Sequence, residues 1–339
     1  MKRNRTLVLG VDGGQTSTGC VVLSSTGKVL GSGTAGCVVD LMHPARAQER
    51  MDSALGDAIA TALKGAGASL QDIASAYLSL TGGLGHAQQT MSGLLLGAQI
   101  KIDADTVSSL YCGRLGQPGI GLICGTGANA LLIDARGQQR NCGGWGYLFG
   151  DAGSGQWIAL EVMRQCARMS DQAMTRTGLL GEVLQHFQAA HMRDVVGGFY
   201  AGTLPREALS PLTPLALRAA ESGDPIAQDI IQRAAQALTE LVVTVARSEL
   251  LSPGDRVVVG SGGPLSPDSP LWQSLRAELH RTLPDYQLIP PVLPPVLCTG
   301  LQALELLGPI SDSIVELLQQ QSAAFQSKFL HHMEVVNVH

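Results

Sequence analysis

Aromatic residues and surplus positive charge are both scarce in this sequence. Only 4% of its 339 residues are aromatic, and its formal net charge at pH 7 is -5. A protein without a positive field does not attract polyanions, and few aromatic rings leave few platforms on which bases can stack. Nucleic acid and an anionic membrane surface are therefore poor candidates as partners, and a small-molecule ligand fits better.

Paired cysteines and long apolar runs are also missing. The seven cysteines are scattered and none forms a CxxC pair, which is typical of buried thiols in a reducing compartment rather than of a zinc site or a disulfide framework. No stretch is long and apolar enough to cross a bilayer, and the apolar run at residues 7–9 meets Gly10 and Asp12 too early for a signal-peptide core. The eight histidines have no metal-ligand spacing. These features predict a cytoplasmic globular protein.

Glycine is what the sequence has in abundance, with 41 residues, while 45% of all residues are hydrophobic and 15% are charged. This composition supplies enough apolar material for a packed core, and the length allows two domains. The glycines come in tight runs without a period, which is typical of loops whose backbone approaches a ligand closely.

The hydrophobic pattern predicts a sheet with helical crossovers at the start of the chain. Three short strands are predicted at residues 7–11, 19–24 and 28–33. An amphipathic helix follows, with apolar positions at Met51, Leu55, Ile59 and Leu63. A strand at 76–80, a helix at 86–98 and a strand at 100–103 come next. Because strands now alternate with helices, part of the sheet should be parallel.

A second unit begins like the first, with a strand, a glycine-rich loop and a strand between residues 120 and 133, which indicates an internal duplication. Beyond it the pattern predicts mostly helix at 156–251 and a strand at 256–260. The final helices are predicted to start at residues 301–307, and the last ten residues are predicted to be a frayed end. We therefore place one domain at residues 1–117 and a second at 118–339, with its last helix able to pack back on the first domain.

The first glycine-rich loop has the composition of a phosphate clamp. Asp12 stands at a strand end and is followed by Gly13, Gly14 and the hydroxyl residue Thr16. Glycines at positive φ can turn successive N–H groups toward one anion, hydroxyls add donors, and the aspartate can hold Mg²⁺ through water. An ordinary hairpin turn is the alternative explanation.

Two further loops repeat this composition. One contains Thr126 and Gly127 between two strands, and another glycine-rich strand end covers residues 260–263. Three such loops are hard to explain as turns alone. The loops differ from the Walker type, because neither GxxxxGKS nor GxxxxGKT occurs, and from the dinucleotide-binding GxGxxG fingerprint.

The segment CGGWGYLFGDAGS at residues 142–154 closely resembles the GGWG…GDEGS segment of hexosamine kinases. Together with the clamps, it makes the chain resemble the BadF/BadG/BcrA/BcrD ATPase family, which includes N-acetylglucosamine kinase and belongs to the acetate and sugar kinase and actin superfamily. The resemblance covers the chain nearly end to end. It implies an α/β fold of two actin-like (ribonuclease H-like) domains, each a mixed β-sheet flanked by helices, with an interdomain cleft.

The resemblance also implies an activity, in which the γ-phosphate of ATP is transferred, with Mg²⁺, to a hydroxyl of an amino sugar. The expected acceptor is O6 of N-acetylglucosamine. Glucosamine and N-acetylmuramic acid are the alternative substrates. A homodimer is expected from the family alone. Asp105 matches the family's catalytic carboxylate, which acts as general base. Asp103 competes for this role, since strand alternation would place it on the same face.

The remaining roles follow from the same resemblance. Nucleotide contacts are implied for Asp12 (also the Mg²⁺ ligand, through water), Gly13, Gly14, Thr16, Thr126, Gly127, Ala220, Gly260, Gly262 and Gly263. Sugar contacts are implied for Thr81, Gly82, Ala128, Asn129, Gly144, Trp145, Gly146 and Asp151. The other interpretation makes Trp145 a core aromatic residue and Asp151 a helix N-cap.

One departure from the family concerns the substrate. Where N-acetylglucosamine kinases carry an asparagine after the third strand, residues 36–40 read GCVVD. The contact to the acyl amide or the 3-hydroxyl is therefore in doubt, and a missing polar contact can change sugar choice.

Two other functions share this fold. An ATPase activator of a radical dehydratase needs cysteines that converge on an iron–sulfur cluster, and Cys112, Cys124 and Cys142 are available but outside the family's cluster motif. A sugar sensor without catalysis would be expected to have lost the clamp or the base, and both are present here.

Overall fold

The computed structural model describes residues 6–39, 46–247 and 251–336. The strands in this part of the chain are β1 (Leu7–Gly13), β2 (Thr18–Ser24), β3 (Val29–Ala35), β4 (Ile73–Leu80), β5 (Gln99–Ala104), β6 (Gly119–Cys124), β7 (Ala128–Ile133), β8 (Gln139–Gly143), β9 (Val257–Ser261) and β10 (Gln287–Ile289). The α-helices are α1 (Ala47–Ala66), α2 (Leu84–Leu94), α3 (Asp105–Arg114), α4 (Gly155–Ser170), α5 (Gly178–His186), α6 (Met192–Tyr200), α7 (Leu212–Glu221), α8 (Pro225–Ala246), α9 (Pro270–Thr282), α10 (Pro295–Glu305) and α11 (Asp312–Val336). None of the described helices is long and apolar enough to span a membrane.

The chain separates into two compact units. The first contains Met1–Leu115 together with Pro291–His339, and the second contains Gly116–Pro290. The division after residue 115 is close to the boundary near 117 that the sequence predicts. The predicted second domain, 118–339, extends beyond the second unit, because residues from Pro291 onward group with the first unit, where α10 packs on β1 and the last helix, α11, packs on β3.

The two sheets have the same topology. The first has the strand order β3-β2-β1-β4-β5 and the second, taken from its own third strand, has the order β8-β7-β6-β9-β10. In each sheet the first strand is antiparallel to the hairpin strand that follows it and parallel to the crossover strand on its other side. The duplication that the sequence indicates is therefore present, and the fold is that of two actin-like α/β units.

The alternation of strand side chains explains why helices cover both faces of the first sheet. Leu9 and Val11 on β1 pack with α1 and α2 residues, whereas Val8 lies on the opposite face with α10 residues such as Leu297 and Leu301. A strand buried on both faces needs apolar residues at consecutive positions. On α1, the four apolar positions named above are all buried, so the predicted amphipathic helix is confirmed.

Several elements differ from the pattern-based prediction. Helix α2 ends at Leu94 rather than at residue 98, and α10 begins at Pro295 rather than at residue 301. Strands β8 and β10 and helices α3 and α9 were not predicted, since short or polar segments carry little periodic signal. The predicted frayed end is helical as far as Val336, and residues 337–339 lie outside the described part.

Gly10 is required where β1 passes α10. A Cβ atom built on Gly10 would lie 2.2 Å from the backbone nitrogen of Gly300 and 2.7 Å from the carbonyl carbon of Thr299. Backbone atoms cannot move aside as a flexible side chain can. We expect Gly10→Ala to lower the free energy of unfolding by about 3 kcal/mol, measured by urea denaturation.

Gly56→Ala is the matched control, because this glycine lies within α1 and nothing approaches its Cβ position. Alanine has the higher helix propensity, so this change should raise stability by about 0.5–1 kcal/mol. Equal effects of the two substitutions would contradict the close packing of β1 on α10.

Candidate functional site

The carboxyl ends of β1, β4 and β5 bring the polar residues of the first unit together. The three strands are parallel, with Asp12 opposite Ser79 and Ser79 opposite Asp103 in the register. Asp12 and Gly13 end β1, Thr81 follows β4 directly, and Asp105 is the first residue of α3 directly after β5. Residues distant in the sequence therefore meet at one edge of the sheet.

Hydrogen bonds fix these segments to one another. The backbone N–H of Thr81 donates to the carbonyl of Gly13 (2.9 Å), and that of Val38 donates to the carbonyl of Gly14 (3.1 Å). The Thr81 hydroxyl donates to Oδ2 of Asp105 over 2.6 Å. After Thr81 the chain turns through Gly82 and Gly83, which both have positive φ, of 77° and 66°. The predicted clamp, the predicted base and the predicted pocket turn thus form one assembly.

Two partly buried carboxylates, Asp12 and Asp105, lie near each other at this edge. Burial and the negative charge of Asp105 raise the pKa of Asp12 from 3.8 to about 7, against the lowering effect of the Ser79 hydroxyl. Burial also raises the pKa of Asp105, opposed by the hydrogen bonds from Thr81 and from backbone N–H groups. A carboxylate with a raised pKa is suited to accept a proton near neutral pH, and a neighbouring cation would relieve the repulsion between the pair.

The pKa of Asp12 has a consequence for stability. A folded-state pKa above the unfolded value means that the folded protein binds the extra proton between pH 4 and 7, so the stability contributed by this group is lost as the pH rises through that range. We expect the melting temperature of wild type, relative to Asp12→Asn, to fall between about pH 4 and 7 in buffer without nucleotide or metal. A difference that stays constant or increases with pH would contradict a raised pKa for Asp12.

Asp103 has a different environment from Asp105. The Tyr77 hydroxyl donates to its Oδ2 over 2.5 Å, and the Lys101 ammonium lies 3.0 Å from the same oxygen. Strand alternation does not extend to Asp105, because β5 ends at Ala104 and Asp105 starts a helix. The expectation that both side chains share one strand face is therefore wrong.

The second clamp lies in the second unit, between β6 and β7. The Gly125 N–H donates to the Gly127 carbonyl over 2.9 Å, which closes the turn. The first two N–H groups of α4 donate hydrogen bonds to this loop. The N–H of Gly155 donates to the Gly125 carbonyl (2.8 Å), and that of Gln156 donates to the Thr126 carbonyl (3.3 Å). The loop is thereby anchored on the N-terminus of a 16-residue helix.

The glycines of the first two loops do not have the predicted backbone conformation, unlike Gly262 in the third. Gly13, Gly14, Gly125 and Gly127 all lack the positive φ expected of them. Gly127 is needed for space, since a Cβ there would lie 2.9 Å from Oδ2 of Asp151. Close approach to a carboxylate, rather than a left-handed backbone, explains this position.

Asp151 is the centre of a second cluster, formed by residues predicted to contact sugar. Its side chain is buried, and Oδ1 accepts the N–H of Ala128 over 3.3 Å. The Gly144 N–H donates to the Ala128 carbonyl (2.9 Å), and Gly144 lies directly beside the amide of Asn129. The Oδ1 atom of Asn129 is buried without a hydrogen-bond partner. Because buried polar atoms are usually hydrogen-bonded, this oxygen is a candidate acceptor for a donor on a ligand.

The environment of Asp151 excludes the other interpretation of this segment. The N-cap of α4 is Ser154, whose hydroxyl accepts the Trp157 N–H, so Asp151 is not the cap. Trp145 is 76% exposed and is therefore not a core residue. Burial raises the pKa of Asp151, opposed by hydrogen bonds from the Ala128 and Gly146 backbone and by the charge of Arg206.

The remaining predicted nucleotide residues are placed unequally. Gly262 has φ 111°, and a Cβ there would lie 2.0 Å from the Cys124 carbonyl, so this glycine allows the strand end after β9 to touch the second clamp. Gly262 and Gly263 are exposed. Gly260 instead packs against the ring of Trp272.

Two alanines and one threonine in the predicted set also have distinct positions. The methyl groups of Ala128 and Ala220 are buried in the core of the second unit, which leaves only their backbones for ligand contacts. The Ala220 carbonyl accepts a hydrogen bond from Gln228 (3.2 Å). Thr16 is exposed in the loop between β1 and β2.

Arg206 is the residue that sequence reasoning missed. Its guanidinium carbon lies 4.7 Å from the centroid of the Tyr147 ring, and its charge acts on Asp151. Arg206 is far from Asp151 along the chain and belongs to no motif, so no sequence signal connects the two.

Residues 9–296 match the family model of the BadF/BadG/BcrA/BcrD ATPase family. The chain belongs to this family. Among curated relatives, the N-acetyl-D-glucosamine kinase of Dictyostelium discoideum is 26% identical over 317 residues, which cover 89% of this chain and 98% of the relative. The N-acetylmuramic acid/N-acetylglucosamine kinase of Clostridium acetobutylicum is 27% identical over 175 residues, covering 51% of this chain and 56% of the relative.

The fold of this BadF/BadG/BcrA/BcrD family member also matches solved structures. A protein from Chromobacterium violaceum assigned as an N-acetylglucosamine kinase superposes with a TM-score of 0.71 at 24% identity, covering 88% of this chain and 99% of the other. At this identity the likeness establishes the fold.

Proposed function

We propose that the protein is an ATP-dependent kinase that transfers the γ-phosphate to O6 of an amino sugar, with N-acetylglucosamine as the first candidate. The observation that carries the proposal is the position of Asp105. Its carboxylate accepts a 2.6 Å hydrogen bond from Thr81 at the same sheet edge as the Asp12 clamp. The named activities of the relatives above, amino-sugar kinases both, point the same way.

In this mechanism Asp105 orients the acceptor hydroxyl and takes its proton as the sugar oxygen bonds to the γ-phosphorus, while the bond from that phosphorus to the bridging oxygen breaks and ADP leaves. The two glycine-rich loops would each direct backbone N–H groups at the triphosphate. Because phosphoryl transfer is loose, positioning and charge stabilisation contribute most of the acceleration. The cleft between the two units, a homodimer and a cytoplasmic location stay predictions.

Asp12 is the residue that would hold Mg²⁺, through water. The fit rests on its chemistry: a carboxylate beside a second one, with a pKa raised to about 7 in the absence of a counter-charge. The described residues contain no cluster of three or more histidine, cysteine or acidic side chains that would enclose a metal, and Mg²⁺ commonly uses one or two carboxylates and keeps its waters. When bound, the ion would neutralise charge on the phosphates.

The sugar would lie against the Asp151 cluster. Asp151 is an acceptor for sugar hydroxyls, and the unpaired Oδ1 of Asn129 is an acceptor for a further N–H or O–H. The residues that replace the family's asparagine favour no particular acyl group: Val38 is buried against Gly13, and Asp40 lies outside the described residues. Glucosamine and N-acetylmuramic acid therefore remain alternative substrates.

A coupled ADP-release assay tests the proposal. The panel contains N-acetylglucosamine, glucosamine, N-acetylmannosamine, N-acetylmuramic acid and glucose, with a control without sugar. We expect ADP release that depends on an amino sugar, and mass spectrometry and NMR of the product should locate the phosphate on O6. ADP release at the same rate without sugar would overturn the proposal.

A further inference from the structure

Arg206 occupies a defined position beside the Asp151 cluster. It begins a short 3-10 turn, Arg206–Leu209, whose last residue is buried in the core of the second unit. The guanidinium stacks on the ring of Tyr147, which belongs to the segment between β8 and α4 that also carries Trp145 and Asp151. Stacking on an aromatic face fixes the plane of a guanidinium and leaves its edge free to donate hydrogen bonds.

This arginine has no counter-ion in the described part of the chain. No carboxylate there lies within 4.0 Å of its guanidinium, and its Nε atom is buried without a hydrogen-bond partner. A guanidinium has five N–H donors, and a buried donor that stays unpaired is unfavourable. The arrangement therefore has the character of a site for an anionic acceptor that the protein itself does not provide.

The nearby negative charge does not fill this role. Asp151 is close enough for Arg206 to lower its pKa, yet the carboxylate turns its oxygens toward Ala128 and Gly127 instead of pairing with the guanidinium. Arg206 and Asp151 are thus near enough for their charges to interact, but they do not form an ion pair. Each is left able to interact with a different group on a ligand.

We propose that Arg206 is a specificity-determining residue that binds a carboxylate carried by the sugar, so that the site favours an acidic amino sugar. The proposal rests on the proposed function and deepens it, because it places an acidic amino sugar ahead of the neutral N-acetylglucosamine as substrate. A planar fork of N–H donors matches a carboxylate with two parallel hydrogen bonds. Arg206 lies beside the segment of Tyr147 and Asp151, where the proposed function places the sugar, and this favours a group on the sugar over a phosphate of the nucleotide.

The test compares sugars that differ in one charge: N-acetylmuramic acid and its methyl ester. For Arg206→Gln we expect the KM for the acid to rise about 10- to 100-fold more than the KM for the ester, since a charge-assisted hydrogen-bonded pair is lost. Arg206→Lys keeps the charge but not the fork, and it should recover part of the difference. Arg193→Gln is the matched control, because that side chain is 93% exposed on the same unit.

Two results would overturn the proposal. One is an equal rise in KM for the acid and the ester, which would indicate a structural role. The other is a loss of kcat with every sugar at unchanged KM, which would indicate a contact to the transferred phosphoryl group. Calorimetric titration of N-acetylmuramic acid distinguishes failure of this proposal from failure of the proposed function. If Arg206→Gln weakens binding of the acid, the carboxylate contact is supported even when no ADP is released. The absence of ADP release would then overturn the kinase proposal alone.

Discussion

Asp105→Asn is expected to lower kcat by about 10²- to 10⁴-fold, the usual contribution of a positioned general base. Asparagine can still accept the hydrogen bond from the Thr81 hydroxyl, so the local structure should persist. Calorimetric titration with a non-hydrolysable ATP analogue should therefore give an affinity close to that of wild type. The loss would appear in a coupled ADP-release assay with saturating sugar.

Asp103→Asn is the matched control for this experiment. It removes a carboxylate two residues away, one that is engaged by Tyr77 and Lys101 rather than by Thr81. We expect its kcat to remain within about tenfold of wild type, less than the usual contribution of a general base. A larger loss in Asp103→Asn than in Asp105→Asn would transfer the base assignment to Asp103.

Asp151→Asn is expected to lower kcat/KM for the sugar by about 100-fold, because hydrogen bonds from sugar hydroxyls to a charged acceptor are replaced by weaker ones. The substitution suits the backbone: Asp151 has φ 58°, and asparagine tolerates the left-handed region well. Asn can also keep accepting the Ala128 N–H. The assay varies sugar at saturating ATP.

Asp151→Ala separates recognition from structure at this position. Alanine loses the acceptor for Ala128 and is strained at positive φ, so this variant should also unfold at lower temperature. If Asp151→Asn leaves the KM for sugar unchanged while Asp151→Ala only lowers the melting temperature, Asp151 is a structural residue. The proposal that sugar binds at the Asp151 cluster would then be wrong.

Local patterns were enough to predict the elements that frame the site. The run from Leu7 to Asp12 and Gly13 identified a strand ending in a polar loop, and the four-residue spacing on α1 identified a helix with one buried face. Both signals depend on residues close in sequence. The family segment around Trp145 and Asp151 likewise lies in one continuous stretch.

What the patterns could not predict depends on contacts between distant residues. The prediction that Asp103 and Asp105 share one strand face was wrong because β5 ends at Ala104 and α3 begins at Asp105. The N-cap residue of α3 is Ala104, whose side chain cannot mark the start of a helix. Arg206 could not be linked to Tyr147 because only the fold brings them together. The glycines of the first two loops were predicted to have positive φ and do not, and Gly127 is instead required by the carboxylate of Asp151 packed against it.

The return of α10 and α11 to the first unit affects how the chain folds during its synthesis. All residues of the second unit have been made once Pro290 is added, whereas β1 still lacks the helix that covers the face carrying Val8. Domains tend to fold as units as they leave the ribosome. The second unit can therefore fold first, whereas the first unit keeps an apolar sheet face uncovered until α10 has been synthesised.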